Sequence, residues 1–172
     1  MENRIKISER LIIMLIDHAF MSFVGFILVI IPLYISMSQN STIETWPILA
    51  LMCFYLAMGI YFNKDIIGGK SIAKRIMGFR IVKLHDHNPA SEFQLFIRNI
   101  LIPLWPIEVI MSIISPSRKI GDFLAGTILI KDEKETIGQY LSEIKSFNFT
   151  GKTAFVSIIT ILYLYVIHLT MP

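Results

Sequence analysis

Long apolar runs alternate along this chain with short polar, basic stretches. Leu11 to Ile35 is a largely apolar run whose one charge is Asp17, beside His18. At about 1.5 Å per residue the run exceeds a hydrocarbon core of roughly 30 Å, so it predicts a membrane-crossing helix. Ser8 is placed to cap that helix near Glu9, and Pro32 falls late in it. Ser38 to Thr42 is a short polar connection. Trp46 to Phe62 is a second, uncharged run, with Thr45 as its cap and Pro47 in its first turn. Trp46 and Tyr61 sit at its two ends, where amphipathic rings prefer the interface. Thr153 to Met171 is a further uncharged run with His168 near its end.

Between these runs the pattern changes. Ser71 to Met77 reads as a short helix stopped by Gly78. Phe79 to Leu84 is rich in β-formers and ends at the turn residues Asp86 to Pro89, and Thr127 to Ile130 reads as another short strand. The two strands are expected to pair as a small cytoplasmic ribbon. Ser91 to Ser115 is apolar but holds Arg98, Pro103, Pro106 and Glu108. Two prolines three apart break a helix, leaving either one kinked crossing or two half-helices that return to their own side.

Charge separates these alternatives. Of 16 Lys and Arg residues, Arg4, Lys6 and Arg10 precede or open the first run, six lie from Lys64 to Lys83, and six lie from Arg118 to Lys152. Arg98 is the remaining one, and residues 37–46 hold none. Basic loops stay cytoplasmic, which places the N-terminus, 63–90 and 115–152 inside and 37–46 outside. Residues 91–115 must then enter and leave on one side, as a re-entrant hairpin. Such backbone is tolerated only when buried in protein or lining water, so the hairpin is a candidate site element.

Composition agrees with this class. The chain is 54% hydrophobic and 17% charged, against about 25% charged in soluble domains. The net charge of +3 suits contact with anionic lipid head groups on the cytoplasmic face, and no nucleic acid is expected. The single cysteine, Cys53, excludes an internal disulfide and any cysteine-based zinc site. The first run is far longer than the roughly 7–15 residues of a signal core, so it is expected to stay as a helix.

The candidate chemistry is a set of charges inside apolar segments. Arg10 and Asp17 are seven residues apart, which puts them on one helix face with about 10.5 Å of rise between them. Each therefore needs a partner from elsewhere. Arg98 is the expected counter-ion for Asp17, and Asp122 is placed to reach Arg10. Glu108 lies in the second half-helix as an accessory group. An arginine fork suits such pairs because it can hold a carboxylate with two parallel bonds. Two roles fit: a structural clasp between the first helix and the hairpin, or the lining of a path for an ion or polar solute.

Other signals are weaker. Gly69-Lys70-Ser71 lacks the upstream glycine and strand of a phosphate loop. His85 and His87 lie in a turn with no further ligand placed by spacing, so no metal or cofactor is expected. His18 points about 100° away from Asp17, where packing competes with a proton-relay role. Asn148-Phe149-Thr150 is a glycosylation pattern on a segment read as cytoplasmic. No arrangement of nucleophile and base is visible, so an enzyme is not expected.

These residues resemble the RDD family of bacterial membrane proteins, named for an arginine and two aspartates. The arginine matches Arg10 and the first aspartate Asp17. The second is carried to Asp122 within Arg118 to Thr127, similar to the family's basic-x-Gly-Asp-x-x-Ala-Gly-Thr signature, with Asp65 a weaker candidate. Gly69 to Val82 is similar to the family's Gly-x-Ser/Thr-x-Gly-Lys-Arg stretch, and Ser91 to Asn99 to its Ser-to-Arg-Asn helix. Ala73 departs from the usual glycine, and Pro103 to Pro106 from the usual hairpin turn. The similarity covers roughly Glu9 to Ile130 and leaves the last run outside the pattern. It implies transport of ions or small ligands.

The expected architecture is an all-α membrane protein with three transmembrane helices, about 11–36, 46–63 and 153–172, and a broken re-entrant hairpin at about 91–115. Residues 1–130 would form the RDD-like domain and 131–152 a cytoplasmic linker. The expected setting is the bacterial inner membrane, multi-pass, with the N-terminus inside. The polar site would comprise Arg10, Asp17, Arg98 and Asp122, with Glu108. Enclosing a path with 172 residues would call for a homo-oligomer.

Overall fold

The computed structural model describes residues 5–38 and 45–170. It is mostly helical, with one two-stranded antiparallel sheet. Helices α1 (Ile7–Ser38) and α2 (Thr45–Phe62) form the first pair. A short α3 (Ile72–Met77) leads into strand β1 (Phe79–Lys83). Helix α4 (Glu92–Asn99), a 3-10 turn (Ile102–Leu104) and α5 (Trp105–Ile114) follow, then α6 (Ile120–Ala125), β2 (Thr127–Lys131), α7 (Ile137–Ser146) and α8 (Gly151–Thr170). By length and composition Ile7–Ile35, Glu92–Ile114 and Gly151–Thr170 suffice to cross a membrane, while α2 over Leu49–Phe62 is apolar but shorter. The expected 38–42 connection falls largely outside the described residues. The side chains of Thr45, Trp46 and Pro47 do as well.

The apolar side chains sort by what surrounds them. Leu15, Phe23, Phe26 and Ile31 of α1 are exposed on the protein surface, as are Phe155, Ile158 and Ile161 of α8. Such a surface is stable only where the solvent is itself apolar. Inside, α1 and α2 approach through small residues: a β-carbon added to Gly25 would lie 3.6 Å from that of Ala57. Small residues at such crossings let helix backbones come close. One core, Phe62, Phe96, Val156 and Leu164, joins α2, α4 and α8. Another, Ile13, Ala73, Phe79, Ile81, Leu95 and Leu129, fastens α1 to α3, the ribbon and α4.

The ribbon fixes the path of the hairpin. Phe79 pairs with Lys131 and Lys83 with Thr127, in the expected antiparallel register. Val82 also bridges Pro89, while the Leu129 amide donates to the Ser117 carbonyl at 3.0 Å. Leu129 lies opposite Ile81, the neighbour of Val82. Both flanks of the 92–114 segment therefore end on adjacent residues of one ribbon. A straight helix of 23 residues would hold its ends about 34 Å apart. Pro103 and Pro106 instead divide the segment into α4, the 3-10 turn and α5. The capping box of Ser91 and Gln94 starts α4.

Three local features differ from the sequence reading. The first helix begins at Ile7, ahead of the expected cap. Residues 131–152 are not a plain linker: Thr136 and Gln139 form a capping box that opens α7. Residues 120–125, which lack a full turn of apolar periodicity, form the short helix α6.

Candidate functional site

The centre of the molecule is a connected set of ion pairs. Asp122 sits at one end of it, on α6. Gly121 makes this possible: a β-carbon there would lie 1.9 Å from the Arg98 carbonyl oxygen, so α6 rests directly on the backbone of α4. Arg98 donates to both Asp122 oxygens, from Nε at 2.7 Å and Nη2 at 3.3 Å. Arg10 donates to Oδ2 from α1 at 3.1 Å. The Thr127 hydroxyl and the Lys119 amide complete the shell at 2.8 and 3.1 Å. All three charged groups are buried. The expected Arg10–Asp122 pair is thus present.

From Arg98 the chain of contacts continues to Asp65, in the turn after α2, at 2.8 Å. Asn99 donates to the same carboxylate at 3.1 Å. Lys74, on α3, then bridges Asp65 at 2.9 Å and Asp17 at 3.0 Å. Asp17 also accepts from the Ser71 hydroxyl at 2.7 Å and the Ala73 amide at 3.3 Å, and it pairs with Lys64 at 3.3 Å. The Ser71 side chain caps α3 and Gly78, at φ 76°, ends it in the left-handed conformation. A six-residue helix is thereby held rigidly enough to present Ser71 and Lys74 to the acid. Glu108, on α5, accepts from the Gly121 amide at 3.0 Å and pairs with Lys119 at 3.4 Å.

One assignment from sequence is corrected. Arg98 is not the counter-ion of Asp17. Its fork is occupied by Asp122 and Asp65, and Asp17 is served by Lys74, Lys64 and Ser71. The reason is the docking of α3 against α1, with Ala73 and Ile13 in one core. Sequence reasoning placed Lys64 and Lys74 among topology-setting surface charges, yet Lys74 is 3% exposed. It gave Asp65 a minor role, although this fully buried acid joins the two halves of the network. The signal available was the density of basic residues between 64 and 83, which a solvated loop does not need. His18 stacks on Trp105 with ring centroids 4.8 Å apart and shares a hydrogen bond with the Tyr61 hydroxyl at 2.8 Å.

Arg10, Asp17, Lys64, Glu108 and Lys119 border a cavity of about 30 Å³. That is room for one or two water-sized groups. Next to it, Arg10 Nε and Asn99 Oδ1 have no hydrogen-bond partner. Among the described residues no group of three or more His, Cys, Asp or Glu side chains is placed to hold a metal ion.

A second set of ion pairs ties α3 and β1 to the segment after β2. Lys70 pairs with Asp132 at 2.6 Å and with Glu135, Arg75 with Glu135 and, at 2.8 Å, Glu143, and Arg80 with Asp132 at 3.0 Å. The Arg75 guanidinium also lies 4.7 Å over the Tyr140 ring. This set brings residues 70–80 and 132–143 together on one side of the molecule.

The electrostatics give a pH prediction. Burial pushes the Asp65 carboxyl up, but Lys74, Arg98 and Lys64 outweigh it and hold it well below the ordinary 3.8. Burial likewise raises Asp122, and Arg98 and Arg10 bring it below the same value. A carboxylate depressed on folding contributes stability above its unfolded pKa, and that stability is lost as pH falls through the folded value. Thermal stability in detergent should therefore decline from about pH 4 downward, and go on declining to the lowest pH tested. Melting curves of the parent and of Asp65→Asn between pH 6 and 3 check this; the variant starts lower and shows a shallower acid slope.

The family model described as RDD family matches residues 5–170. The chain belongs to the RDD family. The match runs through α8, so the last helix, left outside by the motif reading, lies within the family pattern. An uncharacterized protein of Haemophilus influenzae is 33% identical over 92 residues, which cover 48% of this chain and 57% of that protein. The chain thus spans a little over half the length of this relative. No solved structure matches.

Proposed function

We propose that this RDD protein is a multi-pass protein of the bacterial inner membrane that moves an ion or small polar solute through its buried Arg/Asp site. One observation carries the reading: eight buried ionisable side chains, with Lys64 beside them, surround or adjoin a small cavity between α1, α3 and the α4–α5 hairpin. Intramembrane charge is costly and concentrates where ions or protons pass. The contact of residues 70–80 with 132–143 supports placing both on one side of the membrane. The basic residues there support the cytoplasmic side, facing anionic lipid head groups, with the N-terminus alongside. The chain carries no enzymatic chemistry in this reading, and a homo-oligomer completes the path.

A second reading is favoured by a specific feature, the completeness of the pairing around Asp122. There the charges are a clasp, and the protein is a membrane scaffold that binds lipid or a partner. Ion flux in proteoliposomes separates the two. Asp17→Asn removes the anion between Lys64 and Lys74, and flux should be lost while the variant still purifies as a folded protein. No flux in the parent, together with unfolding of Asp17→Asn, would favour the clasp.

A further inference from the structure

The buried network does not balance. Arg10, Lys64, Lys74, Arg98 and Lys119 are five cations, and Asp17, Asp65, Glu108 and Asp122 are four acids. At the cavity the excess is larger, because all five cations border it but only Asp17 and Glu108 do so among the acids. Asp65 and Asp122 are consumed by the pairs behind it. An uncompensated positive charge among side chains this buried is costly, and a bound anion removes that cost.

We propose that this cavity is a binding site for one small monovalent anion of halide type. The inference deepens the transport reading by naming the class of solute, and rests on the same cavity. The volume of about 30 Å³ suits a monatomic ion better than a phosphate ester or a carboxylate with a carbon skeleton. The available donors fit as well. Arg10 keeps an unused Nε, and Lys119 is held only by Glu108 at 3.4 Å, longer than a good charge-assisted bond. A metal cation would need several free oxygen ligands. Here Asp17 is filled by Ser71, Ala73, Lys74 and Lys64, and one Glu108 oxygen by the Gly121 amide. Asn99 Oδ1 is left without a partner and Glu108 Oε2 meets only Lys119, at 3.4 Å, too little for a cation beside five positive side chains.

The same excess couples the anion to a proton. Lys119 is faced by Glu108 of α5, Asp122 of α6, Arg98 of α4 and Lys64 after α2, with Arg10 of α1 and Lys74 of α3 across the cavity. Burial, reinforced by Arg98, lowers the Lys119 ammonium to about 7. Burial lowers Lys64 too, with Asp17 opposing. The empty site therefore balances at four against four when Lys119 is neutral. Above about pH 7 an entering anion therefore draws a proton from solution onto Nζ, so that one anion and one proton bind together; below it Lys119 is already charged and the anion alone restores the balance.

The test is a halide titration of the purified protein in detergent, starting from sodium gluconate at fixed ionic strength and reading the melting temperature. Sodium bromide or chloride should raise it along a saturating curve at pH 6, and the apparent affinity should be about tenfold weaker at pH 8, as the protonated fraction of Lys119 falls. Lys119→Gln should bind weakly with little dependence on pH. If that variant fails to fold, Lys64→Gln serves in its place: the proposal requires a weaker halide effect that still falls as pH rises, with its midpoint moved upward because Lys64 no longer opposes the Lys119 charge. A cavity holding water only gives no halide-specific shift, and a shift that follows sodium or potassium instead of halide equally overturns the proposal. Binding in micelles without flux in liposomes would leave the anion site standing and remove the transport reading. Cation flux indifferent to halide would do the reverse.

Discussion

Asp122→Ala is expected to lose roughly 3–5 kcal/mol of stability, the cost of leaving a buried charge without its partner. The effect is large because two guanidiniums converge on this one carboxylate, Arg98 through both nitrogens of its fork and Arg10 from a different helix. Removing the acid leaves both cations at 1% exposure, Arg10 without its acid and Arg98 with Asp65 alone. It also frees the Thr127 hydroxyl and the Lys119 amide. For a chain of this size the loss corresponds to a fall of about 10 °C or more in melting temperature. Asp122→Asn keeps the shape and some hydrogen bonds but not the charge, and should fall between parent and alanine variant. Fluorescence-detected thermal melting in a mild detergent reads both. An Asp122→Ala protein that melts with the parent would show that the arginines have water or other acceptors in reach.

The second large effect is steric. Gly121→Ala places a methyl group 1.9 Å from the Arg98 carbonyl oxygen, closer than any contact side chains adopt. The obstacle is backbone in the last turn of α4, so no rotamer change relieves it. Either α6 lifts away from α4, taking Asp122 out of reach of Arg98, or α4 is displaced with its arginine. A cost at or above the roughly 3 kcal/mol upper end of ordinary overpacking is expected. Gly126→Ala is the control. That glycine has φ 63° but nothing within 4 Å of an added β-carbon, so the change costs only the local backbone preference, about 1–2 kcal/mol. If the two variants melt alike, conformational preference and not close approach governs this segment.

How far these features were legible in the chain depends on their range. The apolar runs, the stop at Gly78, the ribbon strands and the break at Pro103 and Pro106 are written in local composition, and each appears within a few residues of its expected place. That the two ends of the 92–114 segment come back together was readable because basic residues flank it on both sides, and the ribbon contacts hold both ends. The Arg10–Asp122 pair was readable from residue type and depth. The partner of Asp17 was not, since Arg98 and Lys74 are both basic and both flank apolar segments. What separates them is the docking of α3 on Ile13, a contact between segments about 60 residues apart that leaves no periodic trace. Lys70, Lys74 and Arg75 resembled solvated loop charges because sequence alone does not show Asp132, Glu135 and Asp65 closing over them. Helix α7 was hidden for a related reason, its polar cap residues reading as linker.

The long separation of Arg10 from Asp122, 112 residues, has a consequence for how the protein is made. When the ribosome has produced the first hydrophobic segment, the acid that will hold this guanidinium is not yet translated. The nascent chain must keep Arg10 hydrated at the membrane surface, or shielded by the insertion machinery, until α6 emerges and strand β2 closes onto β1. Its final docking is therefore a late, post-insertion event, and a ribosome stalled before residue 122 would leave the first helix threaded but unseated.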